Sequence, residues 1–341
     1  MSKGSTVACQ RLFCGIDVSA ATLAVAVQQE GLERFEHHEF ANTCAGHKKL
    51  TAWLLRHSRT VRVSLEATGI YSQDLALALD AAEGIEVAVL NPQQVHQFAR
   101  SMKRSKTDKA DAMALAEYSR RMPFVPWRRP SLAALRLRAI SRLIASLRED
   151  HSRLRSRLHA ARASAATPDC VVKLLKDAMA QLQKSRLKLV REAMAVIAQD
   201  TELQRKFELL KSVKGIAETS AVQLLGELPG MDPAMSVRQW VAHSGLDPQH
   251  RSSGTSVHPP SRISRRGNRH LRLALYMPAL VASRFDPHMK VFYNQLKARH
   301  KASLQALVAL QRKMLHAIYG CFKSNTPYNG ATLFPKLIPT S

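Results

Sequence analysis

The sequence predicts a mixed α/β domain followed by a largely helical remainder, and three observations carry that expectation. Short apolar runs rich in β-branched residues, separated by turn residues, occupy the first quarter of the chain. Apolar residues then recur at heptad spacing through a strongly basic centre, and further helical stretches follow, interrupted by a Ser-, Gly-, Pro- and Arg-rich loop over 249–268.

The first elements follow in order. Residues 11–18 read as a strand, 22–27 as a second and 34–40 as a third, with tight turns at Ser19-Ala20 and Glu30-Gly31, so the three form a meander. A helix over 46–57, a β-branched strand over 61–65, a helix over 72–83 and a strand over 85–90 come next, the last stopped by Asn91-Pro92. Helices between strands require parallel pairing, because a parallel neighbour can be reached only by a crossover. Three antiparallel strands extended by strand-helix-strand units is the order of an RNase H-like fold.

Composition restricts the partners. The 341 residues include 51 Lys+Arg against 26 Asp+Glu, a formal net charge of +25, and the sequence pI is near 10.4. Such a field attracts polyanions and makes affinity for them salt-sensitive. A membrane role is not expected, since the apolar stretch 273–283 is too short to span a bilayer. The N-terminus lacks the long uncharged run of a signal peptide, so the expectation is a cytoplasmic protein, nucleoid-associated when bound to DNA. Cys9, Cys14, Cys44, Cys170 and Cys321 contain no Cys-x-x-Cys pair and read as reduced thiols. No Gly-x-x-x-x-Gly-Lys-Ser/Thr loop is present, so no nucleotide cofactor is expected.

Within this basic chain, four acids fall at informative places. Asp17 and Glu66 close predicted strands, while Asp108 and Asp111, three apart on one helix face, open a helix after Lys106-Thr107. Taken singly they read as a turn residue, a solvent-facing strand end and first-turn acids complementing the helix dipole. Taken together, gathered carboxylates repel unless a hard cation neutralises them, so one or two Mg²⁺ ions are expected, with Mn²⁺ as a substitute. Bound cations beside so much positive charge point to phosphodiester chemistry.

The centre has its own pattern. From 120 to 162 arginines abound and Glu149 and Asp150 are the only acids. After Pro130, Leu137, Ile140, Ile144, Leu147, Leu154 and Leu158 form a heptad seam, Thr167-Pro168 breaks it, and 171–198 repeats leucine at Leu175, Leu182 and Leu189. The two helices can form a hairpin or a dimer seam, and coiled-coil pairing is the preferred reading. Arg128, Arg129, Arg136, Arg142, Arg148, Arg153, Arg155 and Arg157 are candidates for phosphate contact, against the alternative of a solvated face. Residues 209–217 lead through Gly215 into a helix over 219–228, a helix-hairpin-helix-like arrangement able to grip phosphate through backbone amides, with Lys214 beside it. In the later loop, Ser252, Ser253, Thr255 and Ser256 read by composition as turn residues.

The motifs Gly15-Ile16-Asp17-Val18-Ser19, Glu66-Ala67-Thr68-Gly69-Ile70-Tyr71, Asn91-Pro92 with Phe98-Ala99, and Lys106-Thr107-Asp108-Lys109-Ala110-Asp111-Ala112 resemble the RuvC-like domain of the DEDD-type insertion-sequence transposases. That family includes the Piv-type DNA invertases and the bridge-RNA-guided recombinases. Gly245-Leu246-Asp247-Pro248, Ser253-Gly254-Thr255-Ser256, Ile263-Ser264-Arg265-Arg266-Gly267-Asn268 and Leu271-Arg272-Leu273-Ala274-Leu275 are similar to its C-terminal transposase domain. At the hairpin turn, Lys214 and Ala217 stand where relatives usually carry proline and glycine.

The resemblance implies a RuvC-like metal-binding domain over 1–125, a basic coiled-coil segment over 126–205 and a transposase domain over 206–341. It implies that Asp17, Glu66, Asp108 and Asp111 hold the metal, that Ser253 is the nucleophile of a covalent phosphoserine intermediate, and that the two make a composite site. It further implies double-stranded donor and target DNA and an element-encoded guide RNA; because exchange of two duplexes needs several strand cuts, a homodimer or homotetramer is expected, with the heptad seam as a means of assembly. Lys103, Arg104, Lys106, Lys214, Arg265 and Arg266 join the arginines above as candidate nucleic-acid contacts. Three other readings remain: a Piv-type site-specific invertase, a RuvC-like nuclease using water, and a non-catalytic nucleic-acid-binding protein.

Overall fold

The computed structural model describes residues 11–58, 60–67, 69, 71–101, 107–228, 231, 234–249 and 262–334. The chain divides into two compact units, 1–129 and 130–341.

The first unit is built on a five-stranded sheet of order β3-β2-β1-β4-β5. β1 (Leu12–Val18), β2 (Thr22–Gln29) and β3 (Phe35–Ala41) pair antiparallel, through a turn in which Ser19 Oγ accepts from the Thr22 amide at 2.9 Å. After α1 (Cys44–His57), β4 (Val61–Glu66) joins β1 in parallel, and after α2 (Gln73–Asp80), β5 (Ile85–Leu90) joins β4 in parallel. Side chains alternate across a strand. Leu12, Cys14, Ile16 and Val18 therefore share one face with Val63 and Leu65, and Leu50, Leu54, Leu75 and Leu79 of the helices complete that core. Phe13, Gly15 and Asp17 point to the other face.

The Asn91-Pro92 pair, expected only to stop a strand, also starts a helix, α3 (Pro92–Ser101). Proline suits the first helical position because its missing N–H is one that a helix start leaves unpaired, and Asn91 Oδ1 accepts from the Gln93 amide at 2.9 Å. α4 (Asp108–Arg121) is capped by Thr107, whose Oγ1 accepts from the Ala110 amide at 3.2 Å, and packs against β1, β2 and β4.

The second unit opens with α5 (Leu132–Arg162) and α6 (Asp169–Ala198), which pack on each other as a hairpin within the chain. Of the expected seam, Leu137, Ile144 and Leu158 are buried, while Ile140, Leu147 and Leu154 are half-buried. α7 (Thr201–Ser212) and α8 (Glu218–Leu225) follow, joined by a turn in which Gly215 has φ 101°, then α9 (Val237–Ser244) with a Ser236/Gln239 capping box. β6 (Pro248–Gln249) pairs antiparallel with β7 (Arg262–Ile263), and α10 (Arg269–Phe285), α11 (Pro287–Ala298), α12 (Ser303–Ser324) and α13 (Gly330–Leu333) complete the unit. Its core joins Leu210, Leu225, Leu275, Leu310, Met314 and Ile318 to the base of the hairpin at Leu137, Ile144 and Ile197. Among the described residues no helix is long and apolar enough to cross a membrane. Cys14, Cys44, Cys170 and Cys321 are free thiols, and Cys9 lies outside the described residues.

Candidate active site

Asp17 and Glu66 are brought side by side by strand register. β1 and β4 run parallel with Ile16 opposite Leu65, so the next residue of each strand carries an acid at the same end of the sheet. α4 supplies the other two acids from its first turn, and the close approach that brings them near depends on Gly15. A Cβ at that position would lie 2.1 Å from the Ala112 carbonyl oxygen and 2.3 Å from the Ala116 nitrogen. With no side chain there, the helix backbone rests directly on the strand two residues before Asp17.

The electrostatics register this convergence. The Asp17 carboxyl is held above its ordinary range by burial first, then by the charges of Asp111 and Asp108, with the Val18 amide opposing. Glu66 is raised likewise by burial, Asp17 and Asp111, while His96 pulls it down. Four acids on three elements therefore share one field. His96, on α3, is a neighbour of this site that sequence reasoning missed, because the helix carrying it went unpredicted.

The donor set suits a hard divalent cation: its atoms are carboxylate oxygens, and their mutual repulsion is the cost a cation relieves. Among the described residues no group of three or more His, Cys, Asp or Glu side chains is placed so that it could hold a metal ion. Asp17, Glu66 and Asp111 are half-buried and Asp108 is exposed, so the site opens to solvent at the sheet end.

The candidate nucleic-acid contacts separate into groups. Arg128, Arg129, Arg136, Arg148, Arg155, Arg157, Lys214, Arg265 and Arg266 are exposed. Arg153 is exposed but ion-paired with Asp150 on the same helix. A shallow groove of about 570 Å³ between α5 and α6 is lined by Arg153, Leu154, Arg157, Gln181 and Leu182 among others. Arg142, expected to face phosphate, is instead occupied internally: its Nε and a terminal nitrogen donate to Glu227 at 2.7 and 3.0 Å. Lys103, Arg104, Lys106 and Ser253 with its neighbouring hydroxyls lie outside the described residues.

Comparison with known proteins assigns the family. Residues 14–162 match a family described as a transposase, and residues 207–294 match one described as the transposase IS116/IS110/IS902 family. A pilin gene-inverting protein of Moraxella bovis is 28% identical over 327 residues, covering 94% of this chain and 98% of the relative. Its counterpart in Moraxella lacunata shows the same identity and coverage. An uncharacterized 43.6 kDa protein of insertion element IS110 from Streptomyces coelicolor is 27% identical over 162 residues, 48% of this chain and 39% of that protein. With both matched segments in family order and similarity running along nearly the whole chain, the protein belongs to the DEDD-type insertion-sequence transposase family and is a DNA transposase or recombinase.

Proposed function

We propose that this transposase cuts and rejoins DNA strands through a covalent phosphoserine intermediate, with Asp17, Glu66, Asp108 and Asp111 as metal ligands and Ser253 as nucleophile. The observation that supports the reading is the shared field of the four acids, since carboxylates that raise one another are held together at a cost a bound cation would relieve. The strand order β3-β2-β1-β4-β5, antiparallel then parallel, supports an RNase H-like, RuvC-like reading of the first unit. The α7–turn–α8 element, with Lys214 exposed in its turn, supports a helix-hairpin-helix role in phosphate contact.

A divalent cation, Mg²⁺ in this reading, supplies Lewis-acid stabilisation of charge on the scissile phosphate. The chain's own groups do the rest. Ser253 Oγ attacks phosphorus, a serine–phosphate ester forms, and the departing strand hydroxyl takes up a proton. A hydroxyl of the incoming strand later reverses the step and frees the serine. Each cut bond is replaced by another ester, so joining needs no nucleotide energy source. Exposed arginines of α5 hold nucleic acid by its phosphates, and guidance by an element-encoded RNA would leave most sequence choice to base pairing. Several strand cuts per exchange call for a dimer or tetramer.

Mass spectrometry of a protease-digested protein–DNA adduct tests this directly. Ser253→Ala should abolish both the denaturant-resistant adduct and strand exchange while DNA binding persists, and Ser252→Ala and Ser256→Ala should still form the adduct. Attachment at another residue, or full recombination by Ser253→Ala, would favour a nuclease using water. The end-to-end similarity to pilin gene-inverting proteins favours a second reading, a site-specific invertase acting on one locus. Sequencing the RNA that copurifies with the protein separates the two, since a discrete RNA transcribed beside the gene belongs to the mobile-element reading.

A further inference from the structure

Glu227, just beyond α8, is a buried carboxylate that the proposed chemistry does not use; its side chain is 1% exposed. Both its oxygens are engaged. Arg142 of α5 donates to them at 2.7 and 3.0 Å, and Asn268 Nδ2 donates to Oε2 at 2.7 Å. The approach that allows this is close, because a Cβ on Gly226 would stand 2.0 Å from Ser141 Oγ of α5. Arg138 secures the same joint by donating to the Gly226 carbonyl at 3.3 Å.

Asn268 faces two ways. Its Oδ1 caps α10, accepting from the His270 and Leu271 amides at 2.9 and 3.3 Å, and its own amide donates to the His243 carbonyl at 2.7 Å. Its Nδ2 is the donor gripped by Glu227. A second tie lies outside, where Arg269 donates to Glu149 of α5 at 2.9 Å. The chain that re-enters the described structure at β7 is therefore fastened, by 268, to α5, α8 and α9 together. A buried carboxylate is costly unless paired, and an apolar contact would hold the same elements at less cost. What the polar joint adds is direction.

We propose that Glu227, with Arg142 and Asn268, is a positioning hub that fixes the limb 262–268 returning from the Ser253 segment, and thereby sets how fast the serine reacts without touching DNA. The proposal rests on the phosphoserine reading above. Two substitutions at Asn268 isolate it. Asn268→Ser keeps a good helix cap but cannot reach Glu227. Asn268→Asp also keeps the cap and places a carboxylate oxygen against Glu227. At saturating DNA, the single-turnover rate of adduct formation should fall roughly tenfold to a hundredfold in both, as expected for a reacting group displaced by about an ångström, while the Kd for DNA stays within about twofold of wild type.

Glu227→Gln combined with Asn268→Asp should recover part of the rate. The glutamine amide then donates to Asp and its carbonyl still accepts from Arg142 Nε, while the second Arg142 bond, to the oxygen that Asn268 shares, is lost. Adduct formed by wild type and both single variants at one rate would overturn the hub alone. Rate, Kd and melting temperature falling together, with no recovery in the double variant, would overturn it in favour of a purely structural joint. Absence of adduct from the wild-type protein would overturn the phosphoserine reading and the hub with it.

Discussion

Gly15→Ala adds a single methyl group, yet the structure places that carbon 2.1 and 2.3 Å from two backbone atoms of α4 and 2.7 Å from Leu115 Cβ. Ordinary contact begins near 3.4 Å, so the helix must withdraw by more than an ångström, and backbone cannot rotate away as a flexible side chain can. Overpacking of this kind costs about 1–3 kcal/mol, a few degrees in melting temperature for a unit of this size. A protein with about 5–15 kcal/mol of stability still folds after such a loss. Asp108 and Asp111 move with α4 away from Asp17 and Glu66, and misplacement by about an ångström costs on the order of a hundredfold in rate. The assay is single-turnover strand cleavage by protein shown to be folded by circular dichroism, with Mg²⁺ titrated to saturation. Cleavage and Mg²⁺ dependence close to wild type would refute the claim that docking of α4 on Gly15 assembles the acids.

The same geometry sets further outcomes. Because Asp17 and Glu66 are raised in the folded protein, the unfolded chain loses those protons first as pH rises; the contribution of this pair to metal-free stability should therefore fall from about pH 4 upward, read as a smaller fall in Asp17→Asn than in wild type. Mg²⁺ should raise the melting temperature more at pH 8 than at pH 5, and a gain that is independent of pH, or undiminished in Asp111→Asn, would count against a metal on these residues. Replacing Arg155 and Arg157 with Gln should flatten the salt dependence of DNA binding by about 0.9 of a log–log slope unit for each phosphate no longer neutralised, whereas Arg142→Gln should leave the slope unchanged and lower the melting temperature, because its charge is already spent on Glu227. Equal slope changes in the two proteins would erase that distinction.

Much of the first unit was legible because strand and helix periods are local properties. The strands expected over 11–18, 22–27, 34–40, 61–65 and 85–90 lie within a residue or two of those observed, and four of them are apolar on the face they bury, while the third, β3, is exposed apart from half-buried Phe35 and Phe40. Asn91-Pro92 stops β5 as expected, but the helix it also opens went unread for an equally local reason: proline ends a strand and opens a helix with the same fixed φ, and only the residues after it distinguish the two. The four acids were visible as residues at element ends and were expected to gather, but the contacts that would bring them together were not visible. These depend on parallel register between β1 and β4 and on a helix docked at a glycine nearly a hundred positions earlier.

The basic centre marks the boundary most sharply. Charge composition by itself pointed to a polyanionic partner, and heptad spacing predicted two long helices, since both depend only on residue type and near-neighbour spacing. Arg142 and Arg155 are equivalent in those terms. Tertiary structure alone decided that Arg155 faces solvent while Arg142 is locked to a carboxylate 85 positions away, because a charge's partner is set by which surfaces pack together, and packing brings together residues that no local pattern connects.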